Sequence, residues 1–207
     1  MCSSDLILNV FVIESFIDEL AAAAKADPVE YRRALLGKAP RARAVLDLAA
    51  HAAGWGQPLP AGRGRGVALL YSWWGSYLAE VAEVEVSKTG ELRVPRIVCA
   101  VDCGTVVNPD IVKAQIESGV NFGISAALWG EITLKNGRVE QSNFHNYRVL
   151  RMNETPIIEV HLVRNLEAPG GIGEPGTSVT GPALANAVFA ATGKRIRKLP
   201  LAPALKA

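Results

Sequence analysis

The hydrophobic period of this chain changes once, near Gly66, and that change limits what it can fold into. Before it, apolar residues recur at three- and four-residue spacing. In residues 11–25, FVIESFIDELAAAAK, this places Ile13, Phe16, Ile17 and Leu20 on one face of an amphipathic helix. Asp27 as N-cap, Pro28 at the first helical position and Glu30 closing a capping box start a second helix, which stops at Gly37. A third runs from Pro40 to about Ala53, with Gly54 as its C-terminal stop. After Gly66 the period is two. Residues 67–74 read as a strand. In YLAEVAEVEVS, residues 77–87, Ala82, Val84 and Val86 alternate with outward Glu83 and Glu85, and KTGE turns the chain into a return strand over 92–102.

The remainder continues in the same manner. Asn108 caps and Pro109 opens a helix to about Leu128, and Gly119 and Gly123 on it predict close packing against another backbone. EITLKNGRVEQ is a hairpin whose Asn136-Gly137 pair suits a type I′ turn. Residues 156–163 form another strand, and a last helix begins near Thr180 to Pro182 and ends at Gly193. QPLPAGRGRG, residues 57–66, reads as a connecting loop, with phosphate or RNA binding by its two arginines as the weaker alternative. The order predicts an α+β fold of helices and β-hairpins, helical over 11–54 and mixed over 66–207, not the regular βαβ alternation of a doubly wound sheet. Residues 1–10, MCSSDLILNV, show no clear helix or strand pattern. They read as a non-native or disordered start, with further sequence expected upstream of Met1.

With 207 residues the chain can bury a sizeable core. A net charge of +2 gives no reason to expect nucleic acid or an anionic membrane as partner. No apolar run reaches the roughly 18 residues of a membrane span, and the start lacks the basic region of a signal peptide. Three cysteines without close pairing argue against a disulfide framework, and Cys99 and Cys103 are expected to be buried thiols. His51, His145 and His161 have no zinc spacing.

Four stretches are candidates for chemistry. PGGIGEPG, residues 169–176, carries four glycines, two prolines and one carboxylate, Glu174. It is either a surface turn with a solvated carboxylate, or a loop whose backbone lets a large ligand approach a proton acceptor. In the second case partial burial would raise the carboxyl pKa and make it a better base. DCGTVVNPDIVKAQIESG, residues 102–119, places one amide, Gln115, on a helix that follows a buried strand. An amide both donates and accepts, so it suits a heterocyclic or oxo ligand, although on these residues alone a plain surface or core glutamine is the commoner case. KRIRK, residues 194–198, reads as a solvated basic edge, and SWWGSY, residues 72–77, as packing or a pocket wall.

The ordered motifs AVDCGTVVNPDIVKAQIESGVNFGISAAL, GEITLKNGRVEQSNFHNYRVLRMNETPIIEVHLV, GGIGEPG and GPALANAVFAATGKRIRKLPL resemble the C-terminal part of the molybdenum hydroxylases, the xanthine dehydrogenase and aldehyde oxidase superfamily. They are most similar to the molybdopterin-binding large subunit of the isoquinoline 1-oxidoreductase beta-subunit type, from about Phe11 to Pro200. The resemblance implies a fragment of a molybdopterin-binding domain in which Glu174 is the general base and Gln115 approaches the pterin. It implies a molybdenum cofactor in its cytosine dinucleotide form, with the metal held by pterin dithiolene sulfurs and no side-chain ligands. It also implies iron–sulfur clusters in a small [2Fe-2S] partner subunit, the remainder of the large subunit as a further partner, and an N-heterocyclic or aldehyde substrate. Two departures stand out: Ser118 in place of a usual glycine, and GTSVTGPA where related chains are richer in proline. The alternative is a stand-alone, non-catalytic binding or assembly module that retains the fold.

Overall fold

A computed structural model of the chain describes residues 3–72 and 74–206, with backbone alone for residues 3–5. Six helices and six strands are present among them: α1 (Ser3–Ala23), α2 (Pro28–Leu35), α3 (Pro40–Ala52), β1 (Arg63–Tyr71), β2 (Tyr77–Val86), β3 (Leu92–Asp102), α4 (Pro109–Trp129), β4 (Leu134–Lys135), β5 (Arg138–Val139), β6 (Ile157–Leu162), α5 (Pro175–Thr192) and α6 (Leu201–Lys206). The α+β class is as expected. The main sheet has the order β1-β2-β3-β6, antiparallel through β3, with β6 parallel to β3. The β3–α4–β6 crossover thus adds one parallel unit that the hairpin reading did not contain. The β4–β5 pair turns at Asn136 and Gly137, both with positive φ (51° and 74°), as a type I′ turn requires.

Both faces of the sheet are covered, which explains why its strands are apolar on both sides. Leu70, Leu78, Val84 and Ile97 pack with Ala183, Leu184 and Val188 of α5. Val67, Val81 and Val98 pack with Val45, Leu46 and Ala49 of α3 on the other face.

Of the expected loop over 57–66, residues 57–62 are irregular, but Arg63–Gly66 are strand. β1 begins at Arg63, and its residues alternate between two tasks. Arg63 and Arg65 form cross-strand ion pairs with Glu85 and Glu83, both at 2.9 Å. Arg65 also donates to the carbonyls of Gly54 and Gln57, tying the segment after α3 to the sheet. Both guanidiniums are therefore engaged within the fold. Gly64 and Gly66 face the backbone of α5. A Cβ at Gly66 would lie 2.1 Å from the Ala187 nitrogen and 2.4 Å from the Ala183 carbonyl oxygen. On the far side of α5, a Cβ at Gly123 would lie 2.8 Å from the Thr177 carbonyl oxygen, so the predicted close approach of α4 is present.

The helix expected to be the last, α5, begins at Pro175, not near Thr180 to Pro182, and α6 follows it. Pro175 occupies the first turn, where a missing N–H costs nothing, and Pro182 is carried inside the helix. Burial of 13 of its 18 residues holds the helix together through that break. The start of the chain also differs from expectation. Helix α1 extends back to Ser3, and Leu6 and Val10 are buried. Its predicted inner face points out: Ile13, Phe16 and Leu20 are exposed and Ile17 is half-buried. The buried stripe carries Glu14, Ser15 and Asp18.

Ion pairing explains that inversion. Arg32 of α2 donates to Glu14 at 2.9 Å, and Arg195 reaches Asp18 at 2.7 Å. Glu14 also accepts the Leu69 N–H at the edge of β1 (2.9 Å). Part of KRIRK is thus structural, since Arg197 likewise pairs with Glu19. On α2, Asp27 caps as expected, but Glu30 turns to Arg33 and closes no capping box.

Gly66→Ala is expected to destabilise the protein by about 3 kcal/mol, the upper part of the usual overpacking range, because the obstacle is helix backbone. Gly37→Ala, where a Cβ meets nothing within 4 Å, is expected to stay within about 0.5 kcal/mol. Denaturant midpoints of the two variants check this.

Candidate functional site

The segment from β6 to α5 is held by backbone bonds along its whole course. Val163 N–H donates to the Val101 carbonyl (2.8 Å), Thr105 N–H to Glu167 (2.9 Å), Gly170 N–H to Cys103 (2.8 Å) and Gly171 N–H to Trp74 (2.9 Å). Ser76 Oγ donates to the Gly171 carbonyl at 2.7 Å. A Cβ on Gly170 would lie 2.5 Å from Ser76 Oγ, and one on Gly171 would lie 2.8 Å from Trp74 Cβ. Two glycines of PGGIGEPG therefore serve packing against the 72–76 turn. Gly173 is different, because a Cβ there would meet nothing within 4 Å.

Glu174 follows Gly173 as the N-cap residue of α5. It is exposed, and its side chain makes no capping bond. The partial burial expected for it is not present in this chain. Its negative charge stands at the positive end of the helix, which favours a carboxylate there. Gln115, on the second turn of α4, donates its Nε2 to the Gly173 carbonyl at 2.6 Å. The structure thus brings the two predicted residues together at one point, although they are far apart in sequence. Gln115 Oε1 and the Glu174 carboxylate have no hydrogen-bond partner among the described residues.

The brace behind this point was not read from sequence. Asp102, at the end of β3, is only 1% exposed. Arg41 of α3 grips it through Nη2 (2.7 Å) and Nε (2.9 Å), and stands 4.7 Å over the Tyr77 ring. The same carboxylate accepts from Asn165 Nδ2 (2.6 Å) and Gly104 N–H (3.0 Å). Burial pushes the Asp102 carboxyl up, but the Arg41, Gly104 and Asn165 hydrogen bonds outweigh it and hold the group below its ordinary value. An aspartate closing an apolar strand was the available signal. Its partner lies 61 residues away, so no local pattern could pair them.

Cys99 and Cys103 are buried free thiols, as expected. Trp74 lies against Gly171, while Trp73 and Cys2 fall outside the described residues. Among the described residues no group of three or more His, Cys, Asp or Glu side chains could hold a metal ion, and no helix is long and apolar enough to cross a membrane. A cavity of about 650 Å³, lined by Leu92, Arg93, Trp129, Arg148 and Glu154 among others, opens at the other end of β3, roughly 33 Å along the strand from Asp102. It takes no part in the Glu174 site, which is open surface.

The family model of the molybdopterin cofactor-binding domain matches residues 18–156. The chain belongs to this family. It is 40% identical over 198 residues to the beta subunit of isoquinoline 1-oxidoreductase from Brevundimonas diminuta, covering 94% of this chain and 25% of that one. It is 37% identical over 211 residues to one of the subunits of nicotinate dehydrogenase from Pseudomonas putida, covering 93% of this chain and 18% of that one. Among solved structures, the aldehyde oxidoreductase of Desulfovibrio desulfuricans superposes with a TM-score of 0.56 at 26% identity, over 63% of this chain and 15% of that one. The chain therefore spans a quarter or less of the length of these relatives. The residues present fit a cofactor rich in polar groups: Gln115 Oε1, and the Glu174 carboxylate one residue past the carbonyl that Gln115 holds, have no hydrogen-bond partner among the described residues and lie beside a glycine with open space.

Because Asp102 is held below its ordinary value when folded, its contribution is present above about pH 4 and is lost as pH falls through the lower, folded value. Arg41→Ala is expected to cost about 3 kcal/mol by leaving that carboxylate buried without its cation, and to move the acid limb of the stability profile to higher pH. Thermal midpoints measured against pH check both.

Proposed function

We propose that this chain is part of a molybdenum-dependent oxidoreductase, with Glu174 as its general base. The observation that carries the reading is that Gln115 holds the Gly173 carbonyl next to Glu174, whose carboxylate has no hydrogen-bond partner among the described residues, with the space in front of the glycine open. The substrate is an N-heterocycle or an aldehyde, in keeping with the names of its relatives. The overall change is oxidation of a C–H bond with water as the source of oxygen: the carbon gains oxygen, and two electrons and two protons leave.

When bound, the molybdenum cofactor supplies the redox chemistry and accepts the two electrons. The roles of this chain's own residues follow from their placement. Glu174 takes a proton from the water-derived oxygen as it adds to the electron-poor carbon. Gln115 Nε2 fixes the Gly173 carbonyl, which precedes Glu174, while its Oε1 would be available to help hold the pterin. The cofactor carries the difficult step, and the protein orients it and moves the proton.

By resemblance to the family, the cofactor is taken in its cytosine dinucleotide form. The electrons leave through iron–sulfur clusters of a small [2Fe-2S] subunit, and the rest of the pocket comes from the remainder of the large subunit. Those parts would also supply the water exclusion that the open surface around Glu174 lacks.

Glu174→Gln in the assembled enzyme is expected to lower kcat by at least about 10²-fold, in the range for loss of a general base, with molybdenum content unchanged. Retained turnover would remove Glu174 from the role. It would favour a non-catalytic module that kept the fold.

A further inference from the structure

Glu80 lies mid-strand on β2, facing α5, and is completely buried. It has no cationic partner among the described ion pairs. Its neighbours are Thr180 of α5 and Cys99, its register partner on β3. Thr180 Oγ1 lies 3.2 and 3.0 Å from the two Glu80 oxygens, and 2.8 Å from the Gly176 carbonyl oxygen.

Counting protons decides how this cluster is charged. The threonine hydroxyl has one proton, and a carbonyl can only accept. The shortest contact takes that proton to Gly176. The contact with Glu80 is then a hydrogen bond only if the carboxyl supplies the proton. The opposite arrangement would leave an ionised carboxylate in the core with no cation beside it, at a much larger desolvation cost. In agreement, burial pushes the Glu80 carboxyl up to about 8 against the smaller lowering by Thr180 and Cys99. Burial likewise pushes the Cys99 thiol up, so it stays neutral, and Glu117 of α4 acts on it only through its charge.

The segment that Thr180 holds is short of backbone bonds. Pro182 has no N–H to give the Ser178 carbonyl, so the first turns of α5 lose one rung of their ladder. We propose that Glu80 is a neutral carboxylic acid in the folded protein and acts as a positioning residue: it donates to Thr180 Oγ1, Thr180 donates to the Gly176 carbonyl, and the first turn of α5 is thereby pinned to the sheet. That turn begins directly after Glu174. The catalytic consequence rests on the reading of Glu174 as base, whereas the anchor itself does not.

Infrared spectra of the purified protein test the protonation. A protonated-carboxyl band is expected at pH 7 and should vanish in Glu80→Gln. Its absence from the native protein would overturn the proposal. Hydrogen exchange tests the anchor. Thr180→Val is expected to speed exchange of the amides of residues 177–180 by about 10-fold, the loss of roughly one buried hydrogen bond, and Thr180→Ser to restore it. Unchanged exchange in Thr180→Val would overturn the anchor. A third readout is pH. Glu80 binds its proton more tightly folded than unfolded, so stability of the native protein should fall as pH rises from about 4 to about 8. Glu80→Gln, which keeps a donor without titrating, should lose that component of the slope. In the assembled enzyme, Thr180→Val is expected to lower kcat more than it changes KM. If Glu174→Gln stays active while the band and exchange results hold, the base assignment fails and the anchor stands.

Discussion

The fold depends on one backbone contact. Helix α5 lies on β1 at Gly64 and Gly66 with no side chain between them, and α4 approaches it from the other side at Gly119 and Gly123. Space on each side is too small for a single added carbon. This fixes the height of α5 above the sheet, and several other features follow from it. Thr180 comes within reach of Glu80, Asn186 reaches the Val67 carbonyl, and the start of α5 arrives beside the second turn of α4. A helix buried over most of its surface tolerates an internal proline because packing, not the hydrogen-bond ladder alone, holds it in place.

The candidate site sits where three chain segments end: the last residues of β3, the second turn of α4 and the N-cap of α5. Each is positioned by something stiffer than itself. Asp102 gathers Arg41, Asn165 and Gly104, so the strand end, the helix α3 and the descending loop share one carboxylate. The 72–76 turn then supports Gly170 and Gly171. Among the described residues, the Glu174 carboxylate and the Gln115 Oε1 have no hydrogen-bond partner. A group that spends no side-chain bond on its own helix is available for a ligand.

Helix α1 shows how far ion pairing can override an apolar stripe. Two arginines, one on α2 and one after α5, draw Glu14 and Asp18 inward, and Ile13, Phe16 and Leu20 turn to the surface while Leu6, Val10 and Phe11 stay in the core. The exchange is favourable only because the acids find cations and a strand-edge N–H in the interior. Burial nonetheless raises the Glu14 carboxyl, with Arg32 opposing it. The edge of β1 is closed by this arrangement, and Leu69 keeps its hydrogen bond through Glu14.

The sequence by itself determined the elements whose cause is local. The β2–β3 hairpin, the Asn108-Pro109 helix start, the Asn136-Gly137 turn and the α+β class were all legible, because each depends on residues within a few positions. The outward placement of Glu83 was not: the second face of β2 is covered too, and Glu83 is buried between Arg65 and Arg96. Glu174 and Gln115 were legible as candidates through a motif resemblance, which names positions without placing them. Their meeting at Gly173, the Arg41–Asp102 brace and the Glu80–Thr180 bond were not legible, since the partners lie about 60 to 100 positions apart and no short pattern encodes such pairs. The misread boundaries share one origin. Arg63–Gly66 looked like a loop because glycine is weak in an isolated strand, and the start of α5 looked five or more residues later than it is because Pro182 suits a first helical turn better than a helix interior. Both preferences describe a chain in water, and both were reversed by tertiary packing, which rewards a missing Cβ where two backbones meet and holds a helix that has lost one of its bonds.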